Sequence, residues 1–174
     1  MTKISIVTPT YNEEENIQKL CDEIKGEMEK LNLDYEHIII DNASKDNTVK
    51  ILKQTCKDNE KIKVIINSKN YGHIRSPFYG ILQSTGDACI LMASDFQDPV
   101  DLISKYIDRW KNGSKIVLGE KTTSDENSIT FFLRKSYYKL LNKISENGLS
   151  QNTTGSGIFD KSIIEKLRKI KDPY

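Results

Sequence analysis

Apolar positions along the chain alternate between two rhythms, short continuous runs and helical spacings. Ile4-Ser5-Ile6-Val7 is a β-branched run that Thr8-Pro9-Thr10 stops. Over residues 13–31 the apolar side chains fall at Ile17, Leu20, Ile24, Met28 and Leu31, which is the period of a helix. Glu13, Glu14 and Glu15 suit the positive end of its dipole. The spacing then predicts a strand over 35–40, a helix over 46–57 and a strand over 62–66. A polar loop over 67–75 containing Gly72, a helix over 76–85 broken by Gly86, and a strand over 88–92 follow. Such alternation, with continuously apolar strands, predicts an α/β fold whose parallel sheet is covered on both faces. Right-handed crossovers would bring the carboxyl ends of these strands to one edge. The segments gathered there, 8–13, 41–44, 67–75 and 95–98, are the chain's densest clusters of Asp, Asn, Tyr and Arg. Ligands bind at that edge in open α/β sheets.

Beyond residue 98 the pattern predicts a helix over 99–111, a strand over 115–118 and a polar loop over 120–128. Residues 130–144 read as a helix carrying Phe131, Tyr137 and Leu141 beside Arg134, Lys135, Lys139 and Lys143. That mixture suits a membrane interface, but ordinary packing on the sheet explains it as well and is the default. Residues 151–157 have no periodicity and two glycines, and 161–169 read as a last helix.

Composition changes this picture only by exclusion. The 174 residues suit a single domain with a proper core. A net charge of +1 gives no global field that calls for nucleic acid. The three cysteines, Cys21, Cys56 and Cys89, lie far apart inside apolar-periodic segments, so disulfides and zinc are not expected. The first strand starts within a few residues of Met1, and no apolar run approaches the roughly 18–20 residues of a membrane span. A cytoplasmic protein is expected.

The loops differ in what they offer chemically. The first lacks the glycines of a dinucleotide fingerprint and the Gly-Lys-Ser/Thr of a P-loop, which argues against a nucleotidyltransferase gripping a triphosphate. Pro9 and Tyr11 make a shelf for a flat base, and Asp41 can accept the imino N–H of uracil or the N1–H of guanine. The plainer alternatives are that Tyr11 caps the core and Asp41 orders a turn with Ser44. Asp95 and Gln97 can supply oxygens to a divalent cation, which needs only one or two carboxylates when phosphates and waters complete its shell. Asp98 before Pro99 reads as a helix N-cap. Arg75 can grip a diphosphate oxygen or pair with an acid. His73 reads more readily as a loop organiser than as a catalyst. Lys121 is a second candidate cation for the leaving group.

These segments together resemble the family-two inverting glycosyltransferases of the GT-A fold. The resemblance is carried by residues 6–17 (IVTPTYNEEENI), 41–48 (DNASKDNT), 70–75 (NYGHIR), Gly86-Asp87, 95–99 (DFQDP), 134–141 and 154–161 (TGSGIFDK). It is nearest to the polyprenyl-phosphate sugar transferases of the dolichyl-phosphate mannose synthase type. It implies a Rossmann-like, mostly parallel sheet flanked by helices and a UDP- or GDP-sugar donor. It further implies Mg2+ or Mn2+, a lipid-phosphate or glycan acceptor, and action at the cytosolic face of a membrane with peripheral membrane contact. In that scheme Pro9, Tyr11, Asn12, Glu13 and Asp41 hold the nucleotide. Asp95 and Gln97 hold the metal, and Arg75 and Lys121 add positive charge at the diphosphate. Two departures stand out. Ala93 occupies the position where the family's metal motif carries an acid, and residues 154–157 lack the acid that serves many members as general base. A sugar hydroxyl needs a base whereas a lipid phosphate is already anionic, so the missing acid favours a phosphate acceptor. The chain is read as one GT-A domain truncated at its C-terminus. The alternative is a degenerate scaffold that binds a nucleotide sugar without turnover.

Overall fold

The computed structural model of the protein describes residues 2–120 and 153–170. Its elements are β1 (Lys3–Thr10), α1 (Ile17–Lys30), β2 (Asp34–Asp41), α2 (Thr48–Asp58), β3 (Ile62–Ile66) and α3 (Gly72–Leu82). They continue with β4 (Ala88–Leu91), α4 (Leu102–Lys111), β5 (Ile116–Glu120), β6 (Thr153–Asp160) and a last helix, α5 (Lys161–Arg168). The strands form one six-stranded sheet in the order β3-β2-β1-β4-β6-β5. β1 pairs in parallel with β2 and β4, and β2 with β3. β6 runs antiparallel to both β4 and β5. The expected mostly parallel α/β sheet is therefore present, with one reversed strand.

Successive side chains of a strand face opposite ways, and the core divides accordingly. Ile4, Ile6 and Ile90 meet Leu20, Ile24 and Met28 of α1 and Ile103 and Ile107 of α4 on one face. Val7, Ile38 and Cys89 meet Ile81 of α3 and Ile164 of α5 on the other. Ile17, Cys21 and Leu52 extend the first face over β2 and β3. Each fully buried Ile or Leu contributes roughly 1.5–3 kcal/mol relative to exposure.

Four boundaries differ from the sequence expectation. β1 runs through Pro9 to Thr10. The strand tolerates the proline because β4 pairs only with Ile4–Val7, so that flank of Pro9 has no ladder N–H to supply. α3 begins at Gly72, so residues 72–75 are helical and Pro77 lies inside the helix. Residues 153–157 belong to a strand, β6. Asp98 caps nothing: a turn closed by Leu102 N–H to the Pro99 carbonyl precedes α4, and Asp101 holds the N-cap position. Lys121, the loop expected over 120–128 beyond Glu120 and the helix expected over 130–144 lie outside the described residues.

At the amino ends of the strands, Glu36 is nearly buried and gathers donors from three directions. Ser5 Oγ donates to Oε1 at 2.6 Å, Thr85 gives Oε1 its N–H and its hydroxyl at 2.7 Å each, and Lys63 Nζ reaches Oε2 at 2.6 Å. Burial alone would raise the Glu36 pKa, but the bonds from Lys63, Ser5 and Thr85 outweigh it and hold it down at about 2. Asp160 closes the same end for β6. It caps α5 through Ser162 N–H, and it accepts the Ser162 hydroxyl at 2.6 Å and Trp110 Nε1–H at 2.8 Å, so its carboxyl lies well below the usual range, chiefly through the Ser162 hydroxyl.

Candidate functional site

The opposite edge, where the carboxyl ends of β1, β2, β3 and β4 lie, holds an open cleft of about 410 Å³. Pro9, Thr10, Tyr11 and Glu13 line it from the first loop, Asn42 from the second, and Asn70, Gly72, His73, Ser76 and Pro77 from the third loop and α3. Ala93, Ser94 and Asp95 line it from the fourth. All four polar segments expected at this edge therefore converge.

The first two loops are locked together by exchanged side-chain-to-backbone bonds. Asn12, with a left-handed φ of 55°, donates its N–H to Ser44 Oγ and accepts Lys45 N–H on Oδ1, each at 2.8 Å. Glu13 N–H goes to Thr48 Oγ1 at 2.8 Å and Glu14 N–H to Asp46 Oδ2 at 3.1 Å. The Glu14 carboxylate in turn takes both the N–H and the amide of Asn47. Asp46 shows the electrostatic mark of this lock. Burial would raise its pKa, but bonds from the Thr48 hydroxyl, Thr48 N–H and Glu14 N–H lower it overall. Asn12 thus orders the loops and is not among the cleft-lining residues.

Asp41 ends β2 fully buried. Its Oδ2 accepts Ser44 N–H at 3.1 Å, the turn anticipated from sequence, while Oδ1 has no hydrogen-bond partner. Its neighbours across the ladder and along the chain, Thr10 and Asn42, both line the cleft. Thr10 Oγ1 is likewise buried and unpartnered. Behind them His37, also buried, bonds Thr8 Oγ1 through Nε2 at 2.9 Å, and desolvation pushes its pKa down to about 3. A neutral imidazole of this kind is core.

Asn42 joins the second loop to the third. Its Nδ2 donates to Asn70 Oδ1 at 2.9 Å and to the Gly72 carbonyl at 3.2 Å, and its Oδ1 accepts Tyr71 N–H at 2.9 Å and Asn67 Nδ2 at 3.2 Å. Gly72 turns the chain into α3 with φ +85°, where a side chain would be strained. The reading from sequence missed Asn42, Asn67, Asn70, Thr10 and Ser76. A run of asparagines flanking a glycine was the available signal, since such residues order left-handed turns.

At the fourth loop Phe96 adopts φ 56° and packs against the core, with Lys19 Nζ 5.0 Å above its ring. Asp95 and Gln97 on either side of it are exposed. Gln97 lends Asp95 its N–H at 3.2 Å and its amide Nε2 at 2.7 Å. Among the described residues no group of three His, Cys, Asp or Glu side chains could hold a metal. The donor set nevertheless suits a divalent cation that arrives with phosphate oxygens, because one carboxylate then suffices and a half-turn of the Gln97 amide presents Oε1. Asp98 is nearly buried and its charge adds to burial in raising the pKa of Tyr106, whose hydroxyl bonds Ser156 Oγ at 2.7 Å. Arg75 stands on the far side of α3, lining a second cleft of about 520 Å³ with Ile65, Ile66, Tyr71 and Tyr79, and so apart from Asp95.

Residues 5–168 match the family model described as glycosyl transferase family 2. An uncharacterized glycosyltransferase of Synechocystis is 30% identical over 171 residues, 98% of this chain and 54% of that protein. A prophage bactoprenol glucosyl transferase homolog of Escherichia coli K12 is 30% identical over 169 residues, 95% of this chain and 55% of its own length. The chain therefore spans about half the length of the curated relatives it matches. Among solved structures, glucosyl-3-phosphoglycerate synthase of Mycobacterium tuberculosis, in complex with Mn2+, UDP and phosphoglyceric acid, superposes with a TM-score of 0.65. That match covers 93% of this chain and 57% of the synthase at 18% identity, which makes it a likeness of fold.

Proposed function

The chain belongs to glycosyl transferase family 2, and on that premise we propose that it transfers a sugar from a UDP- or GDP-sugar to a polyprenyl phosphate at the cytoplasmic face of a membrane. The observation that carries this reading is the convergence of four polar loops on one cleft, with a carboxylate, Asp95, on its wall. The bactoprenol glucosyl transferase homolog supports the lipid acceptor.

In this reading Pro9 and Tyr11 flank the base, Asp41 accepts its ring N–H through Oδ1, and Glu13 with Asn12 keeps the first loop in register with the second. Asp95, with Gln97, holds Mg2+ or Mn2+. When bound, the cation neutralises charge on the departing diphosphate. A lipid-phosphate oxygen attacks the anomeric carbon as the bond from that carbon to the diphosphate oxygen breaks, giving inversion and releasing UDP or GDP. No proton has to be removed from an anionic phosphate, which is consistent with a 154–157 segment that has no acid. Lys121 and Arg75 are proposed to raise the positive potential near the donor rather than to contact the reacting atoms.

Calorimetry with UDP, GDP and their sugars, with and without Mn2+, tests the assignment. Asp95→Ala is expected to abolish the metal-dependent gain in donor affinity and turnover on polyprenyl phosphate. Full retention of both would sink the assignment. Ala93 on the cleft wall favours one rival, a scaffold that binds nucleotide sugar without turnover. Nucleotide binding without sugar transfer to polyprenyl phosphate would support it.

A further inference from the structure

α3 differs from the other helices on its outward side. α1 turns Lys19, Glu23, Lys25 and Glu29 to solvent, as a surface helix ordinarily does. α3 packs Ser76, Pro77, Gly80 and Ile81 inward. Its outward side then carries Ile74, Phe78 and Leu82 in one row at four-residue spacing, with Arg75 and Tyr79 in the next. Ile74 is 52% exposed and Tyr79 49%, while Phe78 and Leu82 are half-buried. Ile66 and Tyr71 extend this surface: both are exposed, and both line the cleft of about 520 Å³ beside α3. Single exposed apolar residues are ordinary. Here four of the eight large ones exposed among the described residues gather on one surface.

The charge of this surface is one-sided. Between Glu60 and Asp87 the sequence has no acid, although the whole chain holds 25. Lys61 and Lys63 in that interval are paired with Asp34 and Glu36. Lys69 and Arg75 lie at the surface itself, with the Lys69 ammonium 5.3 Å from the centre of the Tyr71 ring. At the far end of the row Arg168 of α5 bonds the Leu82 carbonyl. A two-fold dimer through this patch would lay cation against cation, with no acid on the segment to answer it. The surface therefore suits an anionic partner with an apolar interior better than a second copy of the chain. Aliphatic side chains beside Tyr, Lys and Arg are the composition with which a helix lies in a bilayer interface.

We infer that the outward side of α3, with Ile66, Lys69 and Tyr71 beside it, docks on the surface of an anionic phospholipid bilayer. Ile74 and Phe78 enter the boundary of the acyl chains, and Lys69 and Arg75 meet the lipid phosphates. This rests on the lipid-acceptor reading and adds to it the face that meets the membrane. Gly72 and His73 line the donor cleft, and Ile74 and Arg75 follow within the same helical turn. Docking through α3 thus holds the cleft about one helix diameter, ~10 Å, from the headgroups. A lipid phosphate then reaches the donor while its chain stays in the bilayer.

The experiment is co-sedimentation of the whole chain with phosphatidylcholine vesicles, with and without phosphatidylglycerol, at low and high salt. The chain is expected to pellet with the anionic vesicles and to be released by salt. Lys69→Ala should lower the partition coefficient about fivefold, the worth of one basic residue near such a surface. Ile74→Ser should lower it by at least about fivefold through lost apolar burial. Both variants should keep the wild-type melting temperature and nucleotide affinity, since neither residue lines the donor cleft. A wild-type chain that stays in the supernatant overturns the inference, and so do variants that pellet as the wild type does. If Ile74→Ser instead dissociates a dimer seen by sedimentation equilibrium, and no vesicles are bound, the face belongs to a second copy and the inference falls. The vesicles hold neither donor nor acceptor, so their result is independent of the calorimetry that decides the nucleotide-sugar reading.

Discussion

Replacing Glu36 by Gln keeps the shape of the side chain and removes the charge that Lys63, Ser5 and Thr85 surround. The carboxyl sits at about 2 in the folded protein against an ordinary 4.5. The gap corresponds to about 3 kcal/mol of stability at neutral pH. The folded pKa is the lower one, so this contribution is complete above the unfolded value and is lost as pH falls toward the folded one. By pH 3 about 2 kcal/mol of it should be gone. His37 also loses stability on acidification, because the buried ring stays neutral while the unfolded one gains a proton. It is common to both proteins and cancels in the difference. The assay is urea denaturation of wild type and Glu36→Gln at pH 7, 5 and 3. The stability gap should narrow by about 2 kcal/mol across that range. A gap constant to within about 0.5 kcal/mol would show that Glu36 is not an ionised hub, and the account of this sheet edge would fail.

Other substitutions probe the rest of the frame. A Cβ at Gly119 would lie 2.5 Å from Tyr106 Oη and 2.6 Å from Thr154 Oγ1, so Gly119→Ala should cost about 2 kcal/mol, read as a fall of about 4–8 °C in melting temperature. Asn42→Ala strands Tyr71 N–H and frees the third loop; it should cost about 2 kcal/mol and weaken nucleotide binding at least about tenfold, measured by calorimetry. Cys21 and Cys89 are buried with thiols pushed up to about 12, chiefly by desolvation, whereas Cys56 is only half buried. Iodoacetamide followed by peptide mass spectrometry should find Cys56 modified first.

Much of this arrangement is legible in the sequence, and the misses have physical causes. β3 falls at its predicted residues because Ile62–Ile66 is a short apolar run between turn formers. The start of α3 is hidden by Ser76-Pro77, which has the look of a helix start, while the real start depends on Asn42, thirty residues earlier, holding Tyr71 and Gly72. No local pattern encodes a contact of that range. β6 escapes because Thr153–Asp160 breaks its alternation with two glycines. Asp98 sits in the sequence of a cap, yet the backbone turn starting at Pro99 closes without it. At the site, the residue types and the edge are readable. The division between Asn12 and Asp41 is not, since it depends on which oxygen a neighbouring loop has already taken.

The reversal of β6 has a consequence for how such a chain can diversify. Glu120, the last residue of β5, is the register partner of Thr153, the first of β6. Whatever intervenes therefore leaves and re-enters the sheet at adjacent points, and the sheet places no demand on its length. Doubling a flexible connection between fixed ends costs only about 0.6 kcal/mol. A change in the number of residues between 120 and 153 can therefore leave the pairing of β5 with β6 in register.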